Sequence, residues 1–186
     1  MPIMMEQPSL SLNSDDVPGP HYSMWKTVSM QEGITPTEVV GIIANTQATL
    51  KSMKRSLANV IINCHGYEGG LGLSTGGHGK AGFTIDNVGE FGTLKGMNVG
   101  PIWLVACQAA RGASGIAFCQ RLAVVSGSAV VAGEDNQELG LYQTYRYYVG
   151  LSGQIDDYEG IVYLFYPNNT YRKDIDPEEA LWTVKV

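Results

Sequence analysis

The chain holds three cysteines and three histidines, and one of each, His65 and Cys107, follows directly on an apolar run. Val60-Ile61-Ile62-Asn63-Cys64 leads straight into His65-Gly66, and Ile102-Trp103-Leu104-Val105-Ala106 leads into Cys107. Runs this short, rich in Val and Ile, read as buried strands. If the two strands lie parallel and side by side, an imidazole and a thiol meet at one sheet edge. That edge, at the carboxyl ends of the strands, is where open parallel sheets carry their chemistry. A thiol with a nearby imidazole suits a cysteine-nucleophile hydrolase, in which His65 moves protons and Cys107 attacks.

The flanking residues fit that chemistry. Gly66 leaves the backbone open, so its N–H and that of Cys107 can hold a developing oxyanion. A helix is expected shortly after Cys107, and a helix N-terminus favours a thiolate. Ala109, Ala110, Gly112 and Ala113 leave room for an extended substrate. Alternation along the first strand turns Cys64 to the face opposite His65, so Cys64 reads as a buried core thiol. Cys119 reads the same way. Glu134 and Asp135, after a third strand, are candidate substrate-binding residues that would select a basic side chain; a solvated loop is the plainer reading of both.

The elements that must position these groups follow from pattern. Residues 1–20 are polar and carry Pro2, Pro8, Pro18 and Pro20, so they read as a flexible or extended N-terminal arm before a single domain over 21–186. His21 to Met30 is expected as an edge strand. Thr35-Pro36-Thr37-Glu38 is a helix-start signal. Val39, Ile42, Ile43, Thr46 and Leu50 then recur on one face, predicting a helix from about Thr37 to Ser56. Gly66 to Gly82 is glycine-rich and has room for a hairpin. Val88, Phe91 and Leu94 share one side of a helical or turn-rich stretch. A helix is predicted over Ser114 to Val125, with Ile116, Ala117, Leu122 and Ala123 inward, and a third buried strand over Ser128 to Ala132. Alternating helices and strands imply parallel pairing. Tyr142, Tyr145, Tyr147 and Tyr148 crowd an amphipathic segment that suits packing or a peptide groove. Pro167-Asn168-Asn169 signals a hairpin between Tyr158–Tyr166 and Thr170–Ile175. Trp182 to Val186 is expected as a last edge strand.

Composition sets bounds. A chain of 186 residues with 44% apolar content suits one globular domain with a sizeable core. A net charge of −6, with only 12 Lys and Arg, disfavours nucleic acid and anionic membranes as partners. Three cysteines with no paired spacing argue against a disulfide framework or zinc ribbon. A reducing, cytoplasmic setting is therefore expected, or export without a cleaved signal peptide. No signal peptide and no membrane span are read.

Three further patterns are weak. Gly72-Leu73-Ser74-Thr75-Gly76 matches a nucleophile-elbow expression but sits inside a glycine run. Gly77 to Gly82 matches a phosphate-loop expression without the strand and helix it needs. Cys64, His65 and His78 fit no usual zinc spacing. Neither a metal nor another cofactor is expected.

With these residues in view, the chain resembles the caspase-like cysteine peptidases: caspases, gingipains, legumains, separases and the bacterial CHAT domains, to which it is most similar. The resemblance rests on Ile61-Ile62-Asn63-Cys64-His65-Gly66 and Leu104-Val105-Ala106-Cys107-Gln108, and covers roughly Asn59 to Gly133. It departs from the caspase pattern Gln-Ala-Cys-(Arg, Gln or Gly)-Gly at Val105 and Ala109. Caspase-type specificity for Asp is therefore not expected. The resemblance implies a three-layer α/β/α sandwich with a mostly parallel sheet and an antiparallel C-terminal hairpin. It implies Cys107 as nucleophile, His65 as its proton-transfer partner, and Gly66 and Cys107 N–H groups as the oxyanion hole. A protein or peptide substrate follows, with an activating partner or self-cleavage left open, as for a bacterial effector or regulatory protease. The alternative is a catalytically inactive interaction module on the same scaffold.

Overall fold

The computed structural model describes residues 2–17, 21–73, 82–137 and 151–183. Their centre is a seven-stranded sheet built from β2 (Ser9–Ser14), β4 (Lys26–Met30), β5 (Asn59–Asn63), β9 (Ile102–Val105), β10 (Val130–Gly133), β13 (Val162–Phe165) and β14 (Tyr171–Lys173). The spatial order is β14-β13-β10-β9-β5-β2-β4. The five strands from β10 to β4 are parallel, and β13 and β14 are appended antiparallel. The fold is thus mixed α/β with a mostly parallel sheet.

Both faces of the sheet are covered. On one face α1 (Pro36–Ser52), a 3-10 helix (Val88–Leu94) and α2 (Gly112–Ser126) pack over Leu10, Leu12, Val60, Ile62, Leu104 and Val130. On the other, Ile61, Trp103, Val131 and Leu164 lie under Ile3, Tyr22, Ile155 and Ala180. These belong to β1 (Ile3–Met4), β3 (Tyr22–Ser23), β12 (Gln154–Ile155) and α3 (Pro177–Thr183). β1 pairs with β12, and β3 pairs with β11 (Leu151–Ser152). Among the described residues, this second cover is therefore short paired strands and one short helix.

Local chemistry explains the elements. In α1, Thr35 and Glu38 form a reciprocal capping box and Pro36 opens the first turn. α2 stops at Gly127, whose φ of 71° is left-handed, where its N–H reaches Ala123 O at 3.1 Å. β5 is buried along its whole length, as a Val/Ile strand inside a parallel sheet should be.

Several expectations need correction. Within the segment expected as a flexible or extended arm, residues 9–14 form β2, which is fully buried and pairs in parallel with β5 on one side and β4 on the other, so the domain begins before residue 21. α1 ends at Ser52, four residues before Ser56, because Met53 leaves helical geometry and Lys54 takes a positive φ of 57°. Ala117 faces outward, while Phe118 and Cys119 fill the core. Trp182 and Thr183 end α3 rather than open an edge strand. The edge strand expected over 21–30 is β4 at the sheet margin, and the Pro167-Asn168-Asn169 hairpin joins β13 to β14. The tyrosine cluster at 142–148 and most of the 72–82 glycine motifs, including His78, lie outside the described residues.

Candidate active site

The register of the central strands decides what meets at the sheet edge. Asn13 of β2, Asn63 of β5 and Val105 of β9 stand level across three neighbouring parallel strands. Each strand then runs out at its carboxyl end, β2 toward Asp15-Asp16, β5 toward Cys64-His65, and β9 toward Ala106-Cys107. The order along the edge is therefore carboxylate, imidazole, thiol.

His65 and Gly66 open a small hairpin of β6 (His65–Tyr67) and β7 (Gly70–Gly72), extended by β8 (Phe83–Thr84). Tyr67 and Gly70 close its two-residue turn as a hydrogen-bonded pair. Gly66 opposite Leu71 is then a non-hydrogen-bonded pair, and its N–H points out of the ladder. The open face of Gly66 lies on the Cys107 peptide. A Cβ built there would sit 2.2 Å from Cys107 O and 2.8 Å from Cys107 N. Only glycine permits this approach, so the two residues expected to supply an oxyanion hole are direct neighbours.

Cys107 leads into a sharp turn. Gln108 takes a φ of 55°, an uncommon conformation for a residue with a side chain. The segment after β10 holds it there. Gln108 N–H donates to Asp135 O at 3.0 Å, its side-chain amide to Asn136 Oδ1 at 2.7 Å, and Ala110 N–H to Gly133 O at 3.0 Å. Gln137 lies against the thiol, with its N–H 3.4 Å and its carbonyl oxygen 4.0 Å from Sγ.

The imidazole is anchored from the other side. His65 Nε2 lies 3.2 Å from Asp16 O and 3.9 Å from Asp16 Oδ1. Both partners are acceptors, so a hydrogen bond there puts the ring proton on Nε2 and leaves the lone pair on Nδ1. Asp16 escaped the sequence reading because the strand that delivers it did. The usable signal was Leu10-Ser11-Leu12-Asn13-Ser14, a period-two pattern running into two carboxylates.

The other thiols take different roles. Cys64 is buried, and burial, then the Asp16 carboxylate and Cys107, push its thiol far above its ordinary range. A thiol held protonated is a poor nucleophile. Burial likewise pushes Cys119 up, and its Sγ lies 3.5 Å from Ala109 O. Cys107 alone of the three is partly exposed.

The helix after Cys107 begins two residues sooner than expected. α2 starts at Gly112, and in its first turn Ser114 Oγ donates to Glu68 Oε1. The positive end of α2 is thus met by a carboxylate of the β6–β7 turn. Glu134 accepts from Tyr163 OH at 2.8 Å and lies 3.8 Å from Lys173 Nζ. Asp135 is exposed, with its carboxylate folded over Gly160. Among the described residues no group of three or more His, Cys, Asp or Glu is placed to hold a metal ion, and no helix is long and apolar enough to cross a membrane.

Compared with protein-family models, curated proteins and solved structures, the chain matches none.

Proposed function

We propose that the protein is a cysteine endopeptidase of caspase-like architecture, acting through His65 and Cys107. The observation that carries this reading is the seating of the Gly66 backbone directly on the Cys107 peptide, at the ends of two adjacent parallel strands. It brings a partly exposed thiol, an oriented imidazole and two backbone N–H groups to one edge. The mostly parallel sheet with its antiparallel β13–β14 hairpin supports the same architecture.

In this mechanism the Cys107 thiolate attacks the scissile carbonyl carbon. The carbonyl oxygen takes the negative charge and is held by the Gly66 and Cys107 N–H groups. His65 gives a proton to the leaving amine as the C–N bond breaks, and a thioester remains. His65 then takes a proton from water, the hydroxide attacks the thioester carbon, and the C–S bond breaks to release the acid product and the thiolate, with the proton left on His65 for the next leaving amine. The chemistry needs no cofactor. With Glu134 engaged by Tyr163 and Lys173, Asp135 is the better placed of the two acids to meet a basic side chain of the substrate.

The backbone of Gln137 against Sγ favours a gated form of this reading, in which 136–137 shift before a substrate carbonyl reaches the thiol. The same contact is what an inactive interaction module would tolerate. One experiment separates them: a diverse peptide library and an iodoacetamide probe, applied to wild type, Cys107→Ala and Cys64→Ala. The peptidase reading expects cleavage and labelling in wild type and Cys64→Ala, and neither in Cys107→Ala. Equal cleavage by wild type and Cys107→Ala ends the dyad. Absence of both cleavage and labelling in wild type favours the interaction module.

A further inference from the structure

We propose that the site is a three-membered relay, in which Asp16 is a positioning residue that fixes the His65 ring and supports the charge it acquires. The proposal rests on the His65–Cys107 reading and deepens it. Its geometry is independent of the thiol. Asp16, His65 and Cys107 follow the ends of three neighbouring parallel strands, β2, β5 and β9, in which Asn13, Asn63 and Val105 are in register. Asp16 offers Nε2 two acceptors from one residue, its main-chain oxygen at 3.2 Å and its carboxylate oxygen at 3.9 Å.

The carboxylate is itself held. Ser14, buried at the end of β2, donates its hydroxyl to the same Oδ1 that faces His65. A fixed carboxylate beyond Nε2 acts in two ways. It adds to the main-chain contact that holds Nε2, leaving Nδ1 as the nitrogen that exchanges the proton. It also stabilises the positive imidazole that forms each time Nδ1 takes a proton. The imidazole is 34% and the Asp16 side chain 25% exposed, so solvent screens the field in part without removing it. The upward push of Asp16 on the neighbouring Cys64 thiol agrees with a carboxylate charge that reaches this edge.

The main-chain contact survives any substitution, so the variants read the carboxylate alone. Asp16→Asn, Asp16→Glu and Ser14→Ala are made in the full chain, beside His65→Gln and Cys107→Ala. For each, kcat and KM are measured on a peptide drawn from the library, with the melting temperature. The expected result for Asp16→Asn is a fall in kcat of about two- to fivefold, the scale of a partly exposed ion pair acting on a transition state, with KM unchanged. Asp16→Glu should retain most of kcat. Ser14→Ala, which frees the carboxylate without removing it, should lose part of kcat, and it serves as the test if Asp16→Asn fails to fold. A wild-type kcat in Asp16→Asn overturns the proposal, as does a loss shared by kcat and KM that follows a lowered melting temperature. If His65→Gln and Cys107→Ala are dead while Asp16→Asn runs at full rate, Asp16 alone is dismissed. A wild type that turns over no peptide, or a Cys107→Ala that turns over normally, removes the dyad and this proposal together.

Discussion

Gly66 shows how much of this site rests on what a residue lacks. Its Cα is the floor on which the Cys107 peptide sits, and any side chain would collide with main-chain atoms that cannot swing aside. Gly66→Ala should therefore push the His65–Gly66 strand away from the elbow, although one methyl group adds little bulk. A displacement of about 1 Å in an active site is worth roughly a hundredfold in rate. The expected outcome is a loss of about that size in kcat/KM. The damage should stay local, so far-ultraviolet circular dichroism should match wild type. Near-normal cleavage by Gly66→Ala would show that the oxyanion is held elsewhere. Gln108 makes the complementary point, since a positive φ is kept there by bonds from Asp135 and Asn136. Nothing in the one-letter sequence marks that strain, because it belongs to the segment that imposes it.

At the scale of elements, β2 is the informative case. Leu10 and Leu12 point to the helical face, while Ser9, Ser11 and Asn13 occupy the other and are just as buried. Alternation with polar residues suggests a strand with one wet face. Here the polar face is dry because its partners are built in. Asn13 bridges the strand system: its amide donates to Tyr22 O, and its Oδ1 accepts from Tyr22 N–H and Asn63 Nδ2. Ser11 Oγ also donates to Tyr22 O, at 2.7 Å. Asn13→Ala would leave the buried Tyr22 N–H without its acceptor, at a cost of about 1–3 kcal/mol. Urea unfolding measures that loss, and a change under about 0.5 kcal/mol would show that β2 is not held this way. The elements that were legible had signals independent of solvent. α1 was marked by its capping box, β5 and β9 by unbroken apolar runs, and the β13–β14 hairpin by Pro167-Asn168-Asn169. α3 was missed because the β-prone Trp182-Thr183-Val184 drew attention from Asp176-Pro177-Glu178-Glu179. That run is a helix-start signal: Asp176 Oδ1 accepts from Glu178 N–H at 2.9 Å. The thiol and imidazole of the candidate site were legible because both strands end in them. The carboxylate was not, because its strand was hidden.

Across the whole molecule, burial governs two of the three thiols. Cys64 and Cys119 are locked in the core, and burial raises both. The buried hydroxyls of Tyr22 and Tyr158 are raised for the same first reason. A buried thiol that keeps its proton in the fold, while the unfolded chain loses it near pH ~8.5, adds stability below that pH and gives it up as pH rises. Each such thiol should steepen the alkaline loss of stability by about 1.4 kcal/mol per pH unit once the unfolded thiol is ionised. Cys119→Ala tests this far from the site. At neutral pH it should cost about 1 kcal/mol, for a small buried side chain on α2. Between about pH 9 and 10 its stability should fall less steeply than that of wild type by about 1.4 kcal/mol per pH unit. Urea unfolding under reducing conditions across that range gives both slopes. Identical slopes would mean that Cys119 ionises as freely in the fold as out of it. With the predicted difference, Cys119→Ala overtakes wild type in stability above the pH at which its flatter slope outweighs its cost at neutrality.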